Sequence, residues 1–325
     1  MQNGKHSDPE TPLISIVIPA YNVSSYIGDA LRSVFVQDFV DYEVIVVNDG
    51  STDTPELEKV LEPYSEKIVY LKQDNRGISA ARNAALRVAR GELIALLDSD
   101  DVWLEGKLSA QVTFMKQGGF DMVYSDALLF GDVPWPEGTT FMDRSPSAGP
   151  VTLHSLLDLQ VTVVVSTVIM RRALVEQVGG FDEGDRNIVE DFDLWLRLAH
   201  AGARIGYERK ALAKYRYRSD SISASRIKLH QAALKVLRKT RSSMSLSPIE
   251  KEALDRTEQR LESILMLERG KDLIVNGELA EARAIFRKVR QTNSSWKIPV
   301  MLVALRMFPG LLRRYLLRHN HTQAI

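Results

Sequence analysis

Over the first hundred residues, short β-branched apolar runs alternate with stretches of helical periodicity. Leu13 to Ile18 is one such run and Glu43 to Val47 another, closed by Pro19 and by Asn48, Asp49 and Gly50. Runs apolar on both faces predict buried parallel strands. Between them, Ser25 to Val36 sets Ile27, Ala30, Leu31 and Val34 at the spacing of one helix face. The alternation continues with a helix over 55–63, a strand over 68–71, an alanine-rich helix over 78–90 ending at Gly91, and a strand over 93–97. This βαβα order predicts an α/β fold, a doubly wound sheet with right-handed crossovers.

Beyond Asp101 the rhythm breaks. A helix is expected over 104–116, a strand over 121–130, a proline-rich loop over 131–150 and a β-branched strand over 161–170. A short helix over 172–178, an amphipathic helix over 192–201 and a last strand over 211–218 follow, and from Ser223 onward only helices are expected. Ser247, Pro248 and Glu250 form a capping signal for a helix running to Asn276 and Gly277. A second helix over 279–290 pairs back on it as an αα-hairpin, with no second copy at a repeat period. The expected organisation is a flexible tail over 1–10, a catalytic α/β domain over 11–222 and an all-α region over 223–325.

Composition narrows the function. Lysine plus arginine equals aspartate plus glutamate, 42 each, so no nucleic-acid partner is indicated by the total. The charge is nevertheless segregated. No acid follows Glu281 and nine basic residues do, so residues 1–281 carry net −9 and the remainder +9. The absence of cysteine excludes disulfides, thiolate metal sites and a cysteine nucleophile. With no secretory leader and no run of eighteen apolar residues, a cytoplasmic chain is expected.

In a doubly wound sheet, ligands sit beyond the carboxyl ends of the strands, at the topological switch point. Four successive strands here end in polar loops: Pro19, Tyr21 and Asn22; Asn48 to Asp53; Gln73 to Gly77; and Asp98 to Asp101. GxGxxG and GxxxxGK[ST] are both absent, so a glycine-rich phosphate cradle is not the device. Asp98 and Asp100, in a DxD arrangement, are hard oxygen donors suited to Mg2+ or Mn2+ shared with nucleotide phosphates. An acidic cap on an exposed turn is the alternative for DxD alone.

Seven segments together resemble the family 2 glycosyltransferases of the GT-A fold, in that family's order and over about 210 residues. They are SIVIPAYN (15–22), EVIVVNDGSTD (43–53), QDNRGISAARN (73–83), GELIALLDSDD (91–101), GGFDE (179–183), EDFDLWLRL (190–198) and YRYRSDSIS (215–223). The resemblance implies transfer from a nucleotide-sugar donor to a hydroxyl with inversion. By position, Pro19, Tyr21 and Asn22 would line the nucleoside pocket and Asp49 would bind the base, most often uracil. Arg82, Asp98 and Ser99 would belong to the donor site, with Asp98 at the ribose or metal and Asp100 as the direct metal ligand. For Arg82 the alternative is a surface helix arginine.

The same resemblance makes Asp191 the general base on the acceptor hydroxyl. A carboxylate cluster favoured by a helix N-terminus is the other reading of Glu190, Asp191 and Asp193, and is preferred for Asp193. Gly180, Glu190 and Trp195 are candidate acceptor contacts; for Gly180 a helix cap, and for Trp195 a core position, serve equally well. Where many relatives carry a histidine after the last strand, this chain has Arg218, a cation that cannot ligate metal but can hold diphosphate oxygens. Residues 298–318 combine bulky apolar side chains with arginines and no acids. They read either as an interfacial helix on an anionic membrane surface, which would make the protein peripheral on the inner face, or as helices packed on the hairpin. The expected function is a metal-dependent inverting glycosyltransferase with a UDP-sugar donor and a glycan or lipid-linked acceptor, serving cell-surface polysaccharide or lipopolysaccharide assembly. The rivals are a nucleotide-sugar-binding scaffold without turnover and a nucleotidyltransferase. Oligomeric state is not legible.

Overall fold

The computed structural model describes residues 11–184, 188–218, 225–292 and 295–319. The chain divides into two compact units, one comprising residues up to Leu156 with Gln160–Tyr217, the other Leu157–Leu159 with Arg218 onward. The expected tail over 1–10 and the expected boundary at 222 lie outside the described residues.

The first unit is built on eight strands: β1 (Ile14–Ala20), β2 (Tyr42–Asp49), β3 (Ile68–Gln73), β4 (Leu93–Leu96), β5 (Val102–Trp103), β6 (Met122–Gly131), β7 (Ile169–Arg171) and β8 (Ile205–Tyr217). They form one mixed sheet in the order β3-β2-β1-β4-β7-β6-β8-β5. β1 to β4 pair in parallel, while β7 is antiparallel to β4 and β6, and β5 to β8. The chain winds outward from β1 to β3 and returns to place β4 on the other side of β1. The switch point therefore falls between β1 and β4.

β1 is buried along its whole length, which explains its unbroken apolar run. One face of the sheet, Ile14, Ile16, Ile18, Val44, Val46 and Ala95, packs against Ile27, Leu31 and Val34 of α1 (Ile27–Phe35). The opposite face, including Val17, Ile45, Val47 and Ile94, is equally buried. At the amino ends of the strands, Ser15 donates to Glu43 (2.7 Å), and Glu43 accepts from Arg90 through backbone N (2.7 Å) and Nε (2.9 Å). Those motif positions latch the strands at the edge away from the polar loops.

Three departures from the sequence reading have local causes. The strand expected over 161–170 is only Ile169–Arg171, because Ser166 and Thr167 turn as a 3-10 segment and spend their hydroxyls on other chain segments. The loop over 131–150 contains one helical turn, α5 (Phe141–Arg144), closed by a Thr140–Asp143 capping box. β8 begins at Ile205, six residues earlier than expected, where it pairs with Met122 of β6.

The remaining helices of this unit are α2 (Thr54–Leu61), α3 (Ile78–Val88), α4 (Lys107–Gly118), α6 (Leu153–Leu157, at the division), α7 (Arg172–Gln177) and α8 (Glu190–His200). The second unit comprises α9 (Arg226–Ser243), α10 (Pro248–Asn276), α11 (Leu279–Thr292), α12 (Lys297–Met307) and α13 (Pro309–His319). α10 starts at the expected capping box and stops at Gly277 in the left-handed conformation (φ +89°). Ile274, Ala282, Phe286, Val289, Ile298, Leu305 and Leu316 form this unit's apolar centre. Among the described residues no helix is long and apolar enough to cross a membrane.

Candidate active site

The polar loops expected beyond the sheet are held to each other by their own side chains. Asn22 sits at φ +55°, and its Oδ1 accepts from Thr52 N (2.8 Å) and Oγ1 (3.0 Å), while its backbone N donates to Ser51 Oγ (3.1 Å). Its side chain therefore joins two loops. Tyr21 beside it is about half exposed, and Pro19 is buried in β1. The Asp49 carboxylate, 3% exposed, accepts from Gln73 Nε2 (2.7 Å) and Arg76 N (2.9 Å) at Oδ1, and from Gly77 N (2.8 Å) at Oδ2. Two oxygens offer about four lone-pair sites, so roughly one acceptor position remains, on Oδ2. Gly50 permits this approach. A Cβ there would lie 2.6 Å from Asn75 N, at φ +68°.

The DxD loop is a tight turn in which Asp101 N donates to Asp98 O (3.0 Å). Asp98 and Asp100 are half-buried, whereas Ser99 and Asp101 are buried. Ser166 Oγ donates to Asp101 Oδ2 (2.5 Å) and accepts from Asp98 N (3.0 Å). Arg216 completes the clamp: its N donates to Asp101 Oδ1 (2.7 Å) and its Nε to Asp100 O (2.7 Å). The guanidinium is sandwiched by Phe130 (4.3 Å) and Tyr26 (4.9 Å). Burial, then the charges of Asp100 and Asp98, push the Asp101 carboxyl well above the usual range.

Arg82 is neither a surface arginine nor open to a donor. It is 1% exposed, with Nη2 on Asp98 Oδ1 (2.7 Å) and Nη1 on Glu190 Oε1 (2.5 Å). Burial alone would disfavour its charge; Asp98 and Glu190 more than compensate, so its pKa is raised. Its guanidinium lies 5.2 Å from the Phe181 ring centroid. Phe181 is fixed there by Asn83, whose Oδ1 accepts from Phe181 N (2.9 Å) and whose Nδ2 donates to Phe181 O (2.8 Å).

Gly180 is buried, at φ +71°, and a Cβ on it would meet Asn83 Oδ1 at 2.7 Å. Its backbone N closes α7 on Val175 O (2.8 Å), so it is a cap and not an acceptor contact. Trp195 is 2% exposed, a core residue and not a stacking platform. Glu190, at 5%, is engaged by Arg82 instead of facing an acceptor. Asp193, in the first turn of α8, pairs with Arg197 one turn on (2.7 Å).

Asp191 is different. It is half-buried; Oδ1 accepts from Phe192 N (2.8 Å), and among the described residues Oδ2 takes no hydrogen bond. Burial and the neighbouring Glu190 carboxylate push its pKa up to about 7, against the opposing pull of Phe192 N and Arg82. A carboxylate with that affinity and one open oxygen can take a proton near neutrality. Arg218 follows β8 directly and is half-buried; residues 219–224 beyond it are not among those described.

Asp98 and Asp100 are the half-buried carboxylates of the DxD turn. No group of three or more histidine, cysteine, aspartate or glutamate side chains converges as a metal cage among the described residues. Two hard oxygen ligands on a clamped turn still fit Mg2+ or Mn2+, ions that commonly keep waters and take substrate phosphate oxygens. Asp98 Oδ2 takes no hydrogen bond among the described residues, since Arg82 holds Oδ1.

The sequence pattern of glycosyl transferase family 2 matches residues 15–179. A teichuronic acid biosynthesis glycosyltransferase of Bacillus subtilis, TuaG, is 32% identical over 67% of this chain and 84% of its own length. The chain belongs to glycosyl transferase family 2. WfaP of Escherichia coli, a UDP-Glc:alpha-D-GlcNAc-diphosphoundecaprenol beta-1,3-glucosyltransferase, is 30% identical over 66% of this chain and 82% of its own. Against several uncharacterized glycosyltransferases of Rickettsia, the chain spans 30%, 37% or 64% of the relative's length. Among solved structures, the mannosyltransferase PcManGT of Pyrobaculum calidifontis in complex with GDP-Man and Mn2+ superposes with TM-score 0.60 and 20% identity, over 97% of this chain and 88% of that one. The mixed sheet and its helices are the GT-A fold, followed by a helical region.

Ser166, Arg216 and Asn83 were given no role in the site from sequence. The signal for Ser166 was present: Ser166 and Thr167 interrupt the apolar run VTVVVSTVIM, and polar residues within a buried strand need partners.

Proposed function

We propose that this family 2 glycosyltransferase moves a sugar from a nucleotide-sugar, a UDP-sugar above all, to a hydroxyl of a glycan or lipid-linked acceptor, with inversion, in cell-surface glycan assembly. The observation that carries the proposal is the Arg82 bridge. One buried guanidinium binds a carboxylate of the DxD turn and the first residue of α8, which sets Asp191 beside that turn. The reading draws further on the donor and acceptor named for WfaP and on the teichuronic acid biosynthesis named for TuaG.

In this mechanism the remaining acceptor position of Asp49 receives one N–H of the base, as uracil N3–H can supply. Tyr21 offers its exposed ring to the nucleoside. Pro19 and Asn22 shape the floor of that pocket, Asn22 by holding Thr52. Asp98 and Asp100 would hold the divalent cation, and Arg218 would hold diphosphate oxygens. When bound, the ion supplies Lewis-acid neutralisation of the leaving diphosphate. Asp191 Oδ2 takes the acceptor hydroxyl proton as that oxygen attacks the anomeric carbon. The bond from that carbon to the diphosphate oxygen breaks, and its electron pair leaves with the nucleoside diphosphate. One displacement inverts the centre and needs one base.

Calorimetric titration with UDP, GDP and their sugar conjugates, with and without Mn2+, tests the donor assignment. Metal-dependent binding of a uridine nucleotide is expected. Binding of GDP alone would reject the uridine reading, and binding of neither would reject the donor site.

A further inference from the structure

The last two helices leave one face uncovered. On α12, Ile298 and Leu305 point into the second unit's core, while Trp296, at its N-cap, with Val300, Val303 and Met307 marks the opposite side. At 100° per residue those four fall within about 60° of one another. Across the break at Pro309, Phe308, Leu311 and Tyr315 continue as a second stripe, with Leu312 and Leu316 turned inward. The seven outward residues are 54% to 71% exposed. Together they expose on the order of several hundred Å2 of apolar surface, a patch of the size that is often functional. A helix apolar on all sides belongs in a buried setting. Here half of that setting is missing.

The charges beside the stripe identify what fits. Lys297, Arg306, Arg314 and Arg318 are exposed along these helices, and no acid occurs after Glu281. Two other basic residues are already used internally: Arg283 Nη2 donates to Leu305 O (2.9 Å) and Arg313 Nε to Val275 O (2.7 Å). Arg314 and Arg318 flank Leu311 and Tyr315 on the helix surface, the arrangement of an apolar face with cations at its rim. A second copy docking by the same face would bring cation against cation with no carboxylate to pair, which opposes a two-fold contact. An anionic surface that is apolar underneath satisfies both features.

We infer that α12 and α13 form an interfacial platform that seats the protein on an anionic lipid bilayer, the apolar stripe entering the headgroup boundary and the four cations meeting lipid phosphates. This goes beyond the transfer chemistry and does not depend on it. The test uses the full chain with vesicles of phosphatidylcholine alone or containing about one third phosphatidylglycerol, read by co-sedimentation. The wild type partitions onto the phosphatidylglycerol vesicles and barely onto phosphatidylcholine. Arg314→Gln with Arg318→Gln weakens partitioning by roughly thirtyfold, and high salt weakens the wild type likewise. Trp296→Ser with Phe308→Ser weakens it at least about tenfold. All these positions are exposed, so circular dichroism should be unchanged. Equal partitioning onto both vesicles, or none, overturns the inference. A salt-resistant oligomer without vesicles that Trp296→Ser with Phe308→Ser disperses would overturn it in favour of self-association. Nucleotide titration of the same proteins keeps the donor reading separately testable.

Discussion

Replacing Arg82 by methionine should expose how the two halves of the site are joined. The guanidinium is 1% exposed and serves Glu190, whose side chain is 7% exposed, and Asp98, at 28%. Removing one partner of a buried ion pair costs about 3–5 kcal/mol, because the other is left buried and charged. Most of that falls on Glu190, since Asp98 can regain water. A further ~1 kcal/mol disappears with the contact to Phe181. Against a domain stability of about 5–15 kcal/mol the variant folds but is weakened. Adding Glu190→Gln removes the stranded charge, so the double variant should recover about 2 kcal/mol or more, although it carries one change more. Urea unfolding read by the fluorescence of Trp103 and Trp195, both 2% exposed in the sheet unit, measures each term. A double variant no more stable than Arg82→Met, or an Arg82→Met protein within about 1 kcal/mol of wild type, would refute the bridge as the source of the energy.

Asp191→Asn should keep donor binding and abolish transfer; substantial residual transfer would reject Asp191 as the base. With its pKa pushed up to about 7, transfer by the wild type should fall as pH drops through that value, seen in a rate profile at saturating donor. The raised folded pKa also makes ionised Asp191 a destabilising group above pH 7, so Asp191→Asn should be more stable than wild type at pH 8. About 1–2 kcal/mol is expected after solvent screening, with the difference vanishing near pH 4 in urea titrations. Ser166→Ala should loosen the DxD turn and weaken Mn2+-dependent donor binding roughly tenfold, measured by titration against a stability control. Gly50→Ala should cost more than about 1 kcal/mol in thermal or urea unfolding, since both its positive φ and the 2.6 Å approach to Asn75 N forbid a side chain.

Most of the α/β scaffold was legible because its central strands, β1 and β4, are buried on both faces and its helices on one. Burial in those settings writes itself directly as a run or as a 3.6-residue period, as in Ile14–Ala20 and in Ile27, Leu31 and Val34. The segment over 161–170 failed that logic. Its composition is that of a strand, yet Ser166 donates to Asp101 and accepts from Asp98 N, Thr167 donates to Ser125, and the backbone turns to allow these bonds. Propensity is local, and this need was set by a loop 65 residues away.

The site shows the same division between what a residue is and what it touches. Asp98 and Asp100 stood out by residue type as hard oxygen donors, whereas the base role expected of Asp191 rested on the family resemblance. Arg82, Glu190, Gly180 and Trp195 were assigned to ligands because they lie in the same segments, but burial assigns them otherwise. A segment near a reaction centre must hold both the groups that face the ligand and the groups that hold those in place, and sequence position does not separate the two. Burial does: Arg82 at 1% and Glu190 at 5% pair with each other, whereas half-buried Asp191 keeps an oxygen open. The positioning layer is therefore the part of this site that only the folded structure reveals. Its members, Ser166, Arg216, Asn83 and Arg82, come from four separate segments whose convergence no local pattern encodes.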